Sequence, residues 1–242
     1  RNIGWIYYML KFFVGALVFL VCFKSAEANI AVSPMTVTLT VANKYSSSIK
    51  VFSNSNETQY IKVTAKRIIN PGTPQQKEIA SSVDDGVGVV VSPQRFILPS
   101  QGSHLVRILP LNIPEKEVVY RVYLSSVADD LTNNVNKNEH ERGGHVSINI
   151  TWGVLLYIEP DNERINLSFD PELRKITNNG NIHAFISEYA FCESEKNCKW
   201  HKIERTVYPE GSIEIPDNHL QGKGGVMIRY LSDRGLVTLK VN

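Results

Sequence analysis

From Ile30 onward the apolar residues fall in short runs, most of them alternating with polar residues at a spacing of two. Almost nothing carries the spacing of a helix. The strand-like runs are AVSPMTVTLTV, SIKVFS, QYIKVTAKRII, GVGVVVS, RFILP, HLVRILP, VVYRVYLSSV and HVSINITWGVLLYI. Val, Ile, Tyr and Phe dominate them, and these residues pack well on a half-buried pleated surface. Turn chemistry separates them, as in Asn70-Pro71-Gly72-Thr73-Pro74, Asp84-Asp85-Gly86 and Pro99-Ser100-Gln101-Gly102. Seven or eight such runs in about 130 residues predict an immunoglobulin-like sandwich.

Glu159-Pro160-Asp161-Asn162-Glu163 interrupts the pattern, and Pro160 has no N–H to give to a central ladder. The domain boundary is therefore expected there, with residues 29–159 in the first domain and 160–242 in the second. RINLSFD, KITNNGNIHAFISEYAFC, KWHKIERTVYP, GSIEIP, GGVMIRYLS and GLVTLKVN supply the second set of strands. Asn178-Asn179-Gly180-Asn181 within it is a tight-turn signal. The fold class read from this pattern is all-β, two consecutive immunoglobulin-like sandwiches.

One run changes character along its length. Val146, Ile148 and Ile150 alternate with Ser147, Asn149 and Thr151, the mark of a strand with one apolar face. After Trp152 the residues become continuously apolar, as in a strand covered on both faces. A polar, Asn-rich loop, Ala128 to Gly144, leads into it; long polar connections of this kind are mobile or functional rather than packed.

The start of the chain stands apart. Met9-Leu10-Lys11, the apolar run Phe12 to Phe23 and Ala26-Glu27-Ala28 have the three parts of a secretory signal peptide, with removal expected after Ala28. Residues 1–8 precede the first methionine and carry no fold argument. The apolar run is about 18 Å long as a helix, short of the roughly 30 Å hydrocarbon core, so no stable membrane anchor is expected after cleavage. Removal takes away three positive side chains and one negative, so the formal charge of +2 falls to 0. A neutral chain lacks the basic stripe that binds nucleic acid.

Export also governs the cysteines. Cys22 leaves with the signal, and Cys192 and Cys198 remain, spaced to close a short hairpin with a disulfide. A two-thiolate metal site would need further ligands, and His201 is the only nearby candidate. His140 and His145 sit in the polar loop on no common helix face, and Asp84-Asp85 is followed by the turn residue Gly86. No nucleophile elbow, zinc-protease helix, phosphate-binding loop or dinucleotide fingerprint occurs. The expectation is no catalytic residues, no metal and no cofactor.

Gln59-Tyr60-Ile61-Lys62-Val63, Ile68-Ile69-Asn70-Pro71-Gly72-Thr73 and Val91-Ser92-Pro93-Gln94-Arg95-Phe96-Ile97-Leu98-Pro99 resemble segments of periplasmic fimbrial chaperones of the chaperone–usher pathway. Val106-Arg107-Ile108 and Glu117-Val118-Val119-Tyr120-Arg121-Val122-Tyr123 continue the likeness. Phe191-Cys192 with Cys198, Tyr208-Pro209-Glu210 and Gly235-Leu236-Val237-Thr238-Leu239-Lys240-Val241 carry it to the C-terminus. The resemblance is to the alternate branch that serves class 5, colonization-factor fimbriae. It implies two immunoglobulin-like domains set as a boomerang, and a protein that is not an enzyme. The implied partners are fimbrial subunits (major pilin and adhesin) and an outer-membrane usher; whether the free chaperone caps its own donor strand as an oligomer stays open.

Fimbrial subunits are sandwiches lacking their last strand, and the family's chaperones lend one of their own. This is strand addition, with main-chain hydrogen bonds supplying affinity and alternate side chains supplying specificity. Periodicity alone turns Val146, Ile148 and Ile150 into this protein's own core; the resemblance assigns them instead to the subunit's groove. One departure stands out. Classical members anchor the subunit's terminal carboxylate with an Arg on the first strand and a Lys on the last, yet Ile30 to Asn43 and Ser147 to Ile158 contain neither. Arg121 is the preferred replacement and Arg107 the second, since a guanidinium pairs a carboxylate bidentately. The alternative reading is a structural pilus or adhesin component, which should be an incomplete sandwich.

Overall fold

The structure is a computed structural model that describes residues 29–81, 86–127, 150–194, 197–216, 226–232 and 235–241. The signal segment, Asp84-Asp85, the loop histidines, Val146 and Ile148 lie outside the described residues. The strands, in chain order, begin with β1 (Ile30–Ser33), β2 (Thr36–Leu39), β3 (Ser47–Ser53), β4 (Gln59–Ile69) and β5 (Lys77–Ala80). They continue with β6 (Val89–Ser92), β7 (Arg95–Leu98), β8 (Ser103–Pro110), β9 (Val118–Val127) and β10 (Thr151–Ile158). The remainder are β11 (Leu167–Asp170), β12 (Lys175–Asn178), β13 (Ala184–Ser194), β14 (Asn197–Val207), β15 (Ser212–Glu214), β16 (Val226–Ser232) and β17 (Gly235–Val241).

The first ten strands make two facing sheets, β1-β3-β8-β6 and β2-β10-β9-β4-β5, with β7 also on β4. Alternation does the sorting. In β4, Gln59, Ile61 and Val63 turn inward while Tyr60, Lys62 and Thr64 face out. The run AVSPMTVTLTV is two strands rather than one. Pro34 cannot carry the ladder on; β1 pairs antiparallel with β3, and β2 crosses to pair parallel with β10. Between the sheets, Ile49, Val106, Ile108, Tyr120, Val122 and Leu156 are wholly excluded from solvent.

The other strands form sheets β11-β12-β15 and β14-β13-β16-β17. KITNNGNIHAFISEYAFC divides at its turn, where Asn178 is buried and its amide group ties three backbone positions. Nδ2 donates to Ile182 O (2.8 Å) and Val207 O (3.0 Å), and Oδ1 accepts from Gly180 N (2.9 Å). Gly180 has no alternative residue: a Cβ there would stand 2.1 Å from Arg164 O. Cys192 and Cys198 are paired in register across β13 and β14 and form the disulfide. A small domain has little core to spare, and a covalent tie supplements it.

The two sandwiches meet over a small apolar cluster of Ile68, Val119 and Tyr157 with Leu155 and Tyr208. Tyr157 stacks on His183 with ring centroids 4.4 Å apart, and its hydroxyl lies 3.3 Å from that of Tyr208. Glu117 N donates to Asn181 O (2.8 Å), and Lys116 pairs with Glu210.

Candidate functional site

Part of the edge of β10 is left unpaired among the described residues. On one side β9 pairs with it from Thr151 to Ile158. On the other, β2 begins only opposite Leu155, whose N–H reaches Met35 O at 3.0 Å. Among the described residues no strand pairs with Thr151–Val154 on that side. Unpaired N–H and C=O groups on an edge are a template for another strand.

The side chains of this edge change surroundings in step. Residues two apart share a face, so Ile150, Trp152, Val154, Leu156 and Ile158 form one ribbon. Val154, Leu156 and Ile158 are fully buried, Trp152 is half-buried, and Ile150 is 41% exposed. Trp152 closes the core: its indole N–H donates to Ile30 O (2.9 Å). Among the described residues the same apolar face thus loses its cover between Val154 and Ile150.

Arg121 lies on the opposite face of the sheet, beside β10, in register with Leu155. Its Nη1 donates to Glu78 Oε1 (2.5 Å), and the Tyr123 hydroxyl donates to Glu78 Oε2 (2.6 Å). The hydrogen bond with Tyr123 and the charge of Glu78 hold the guanidinium charged, against the cost of burial. Its stem runs across Gly153, where a Cβ would come within 2.9 Å of Arg121 Cδ. Arg121 is one-third exposed and already bonded to Glu78 and Tyr123; a guanidinium has five N–H donors, which leaves donors for a further carboxylate. Arg107 is exposed on β8, in the other sheet, opposite Ser48 of β3 and Ser92 of β6. The structure does not bring the two arginines together. Glu78 sits on the short strand β5, which the sequence pattern did not mark as a strand.

A second group of side chains gathers where the sandwiches meet. His183 Nδ1 is 2.5 Å from Glu117 Oε2, and one ligand atom each of Glu117, Glu159 and His183 lie within 4.8 Å of one another. Burial, with the nearby charges of Glu163 and Glu117, pushes the Glu159 carboxyl up to about 7; His183 offsets this in part. For His183 burial works against the charged ring, but the hydrogen bond with Glu117 and the charges of Glu117 and Glu159 outweigh it and raise its pKa. The three residues come from separated segments, so no spacing motif in the sequence marks them.

No family model matches the chain. Over 225 residues it is 34% identical to a CFA/I fimbrial subunit of Escherichia coli, an alignment covering 89% of this chain and 93% of that protein. A CS1 fimbrial subunit of Escherichia coli is 30% identical over 196 residues, covering 78% of this chain and 81% of the relative. Among solved structures, the class 5 fimbriae chaperone CfaA superposes with a TM-score of 0.70 at 32% identity, over 88% of this chain and 99% of that one. A chain from the chaperone–tip adhesin complex of CFA/I fimbriae biogenesis gives 0.71 at 32% identity, with coverage of 88% and 99%.

Proposed function

Because the chain belongs to the class 5 branch of fimbrial chaperones of the chaperone–usher pathway, we propose that it works in the periplasm by lending β10 and the residues before it to fimbrial subunits. Val146, Ile148 and Ile150 enter the subunit's open groove, and the free edge at Thr151–Val154 supplies the main-chain pairing. One observation carries this reading: the apolar face of β10 is fully buried at Val154 and 41% exposed at Ile150, where the described residues place no covering layer. The solved relative in complex with a tip adhesin supports an adhesin among the clients. The bound subunit then passes to an outer-membrane usher. Exchange needs no nucleotide and no chemistry, because the subunit's final partner strand packs better than the chaperone's.

Arg121 anchors the subunit's terminal carboxylate by sharing its guanidinium between that group and Glu78. The division between the domains falls at Glu159–Pro160. A structural pilus component is the weaker reading, since the described strands already give each domain two sheets of its own. The test is co-expression with a class 5 subunit in the periplasm. Ile148→Asp should abolish subunit recovery while the chaperone accumulates at its normal level. Subunit that persists and co-purifies with the variant would remove the donor assignment.

A further inference from the structure

We infer that Glu117, Glu159 and His183 form a binding site for one divalent transition-metal cation of the zinc class at the junction of the two sandwiches. The first observation is the convergence itself: one donor atom from each residue within a 4.8 Å spread. The second is independent of it. The Glu117 side chain has no exposure to solvent, and its Oε1 atom is buried without a hydrogen-bond partner. A buried carboxylate oxygen left unpaired costs about 1–3 kcal/mol or more, and is retained where something else meets it.

Charge gives the class of occupant. Two carboxylates this close, each of them largely buried, repel strongly. A protonated His183 offers a single positive charge, and only Glu117 Oε2 is hydrogen-bonded to it at Nδ1. A dication with a neutral imidazole balances both carboxylates and gives Glu117 Oε1 a partner. One nitrogen and two oxygens suit zinc and its neighbours; calcium and magnesium favour all-oxygen shells.

Geometry permits the ion. Bonds of roughly 2.0–2.2 Å set tetrahedral donors about 3.4 Å apart, so on loading the Glu117–His183 pair opens from 2.5 Å by about 1 Å, while donors up to 4.8 Å apart draw in by a similar amount. Tyr157 already fixes the ring plane of His183 by stacking on it, the orienting role that packing and outer partners play around a metal ligand. Glu159 and His183 line an open cleft of ≈ 440 Å³ together with Glu163 and Tyr230, which provides a route in and room for water as a further ligand. Glu117 and Glu159 flank the strands β9 and β10 of the first sandwich, and His183 precedes β13 of the second. A bound cation therefore ties one sandwich to the other and stiffens the angle between them.

The experiment titrates zinc chloride into the full secreted chain, stripped with chelator, by calorimetry, with magnesium chloride as comparison. One site per chain with a micromolar or tighter Kd is expected, with no magnesium heat. His183→Gln and Glu159→Gln should each weaken zinc at least tenfold, whereas His104→Gln and His201→Gln should not. Cobalt should give a ligand-field absorption band that His183→Gln removes. Variants that bind like the parent, or a parent that does not saturate, overturn the proposal. If a variant fails to fold, anomalous scattering from zinc-soaked crystals of the parent decides. A peak between the three residues supports the site, and a peak elsewhere or none refutes it.

Discussion

Ile150, just before β10, and Leu156 within it share one apolar face, yet substitution should act more on binding at the first and more on stability at the second. Leu156 is fully buried, so Leu156→Ala should cost about 2–5 kcal/mol of unfolding free energy, the transfer and cavity terms together. Ile150 is 41% exposed. Full burial of such a side chain is worth roughly 1.5–3 kcal/mol, so covering the exposed two-fifths in the groove of a client adds about 0.6–1.2 kcal/mol. Ile150→Ala should then weaken the complex by about 3–8-fold. Ile150→Asp also drives a carboxylate into an apolar groove, a penalty of several kcal/mol and a loss of roughly a thousandfold or more. The three-fifths of Ile150 already covered in the free chaperone is worth about 0.9–1.8 kcal/mol by the same reckoning, so changes at Ile150 should lower its unfolding free energy less than Leu156→Ala does. The measurements are urea denaturation followed by circular dichroism, and capture of a purified subunit on immobilised chaperone. An Ile150→Asp protein destabilised like Leu156→Ala, or one that captures subunit normally, would refute the claim that the apolar face leaves its own core at Trp152.

Three further outcomes follow from the second sandwich and the junction. Asn178→Ala strands the carbonyls of Ile182 and Val207 and the N–H of Gly180, and should lower stability by about 3 kcal/mol in urea denaturation. Replacing Cys192 and Cys198 together by Ser removes a tie across 6 residues and should cost about 2 kcal/mol, a loss that reductant reproduces in the parent protein and not in the variant. In chelator-treated protein the thermal midpoint should fall as pH rises from 5 to 8. The folded Glu159 carboxyl, at about 7, lies above its ordinary 4.5, so its contribution is complete below 4.5 and lost as pH climbs through 7. The raised His183 acts in the same direction, and Glu159→Gln should flatten the profile; a midpoint that rises over this range contradicts the electrostatics of the junction.

How far the sequence discloses this protein depends on what each feature needs in order to form. Strands such as QYIKVTAKRII and VVYRVYLSSV match β4 and β9 because their period is local and their inward residues are apolar. KEIA, the strand β5, is short, half-exposed and half charged, which suits the edge of a sheet and hides it from any apolar pattern. That concealment extends to Arg121, whose partner Glu78 lies on β5 and reaches it only because β4 is paired with both β5 and β9. Glu117, Glu159 and His183 are further out of reach, since three segments must pack before they meet. The proposed donor face marks the deeper limit. Val146, Ile148 and Ile150 have the same parity as Val154, Leu156 and Ile158, and a period of two is identical whether the opposing layer belongs to this chain or to another. Which side chains are surplus to a protein's own core is a property of where that core ends, and among the described residues it ends at the Trp152–Ile30 hydrogen bond. On the proposed reading, the residues before that point keep the same apolar parity because the layer that covers them is supplied by another chain.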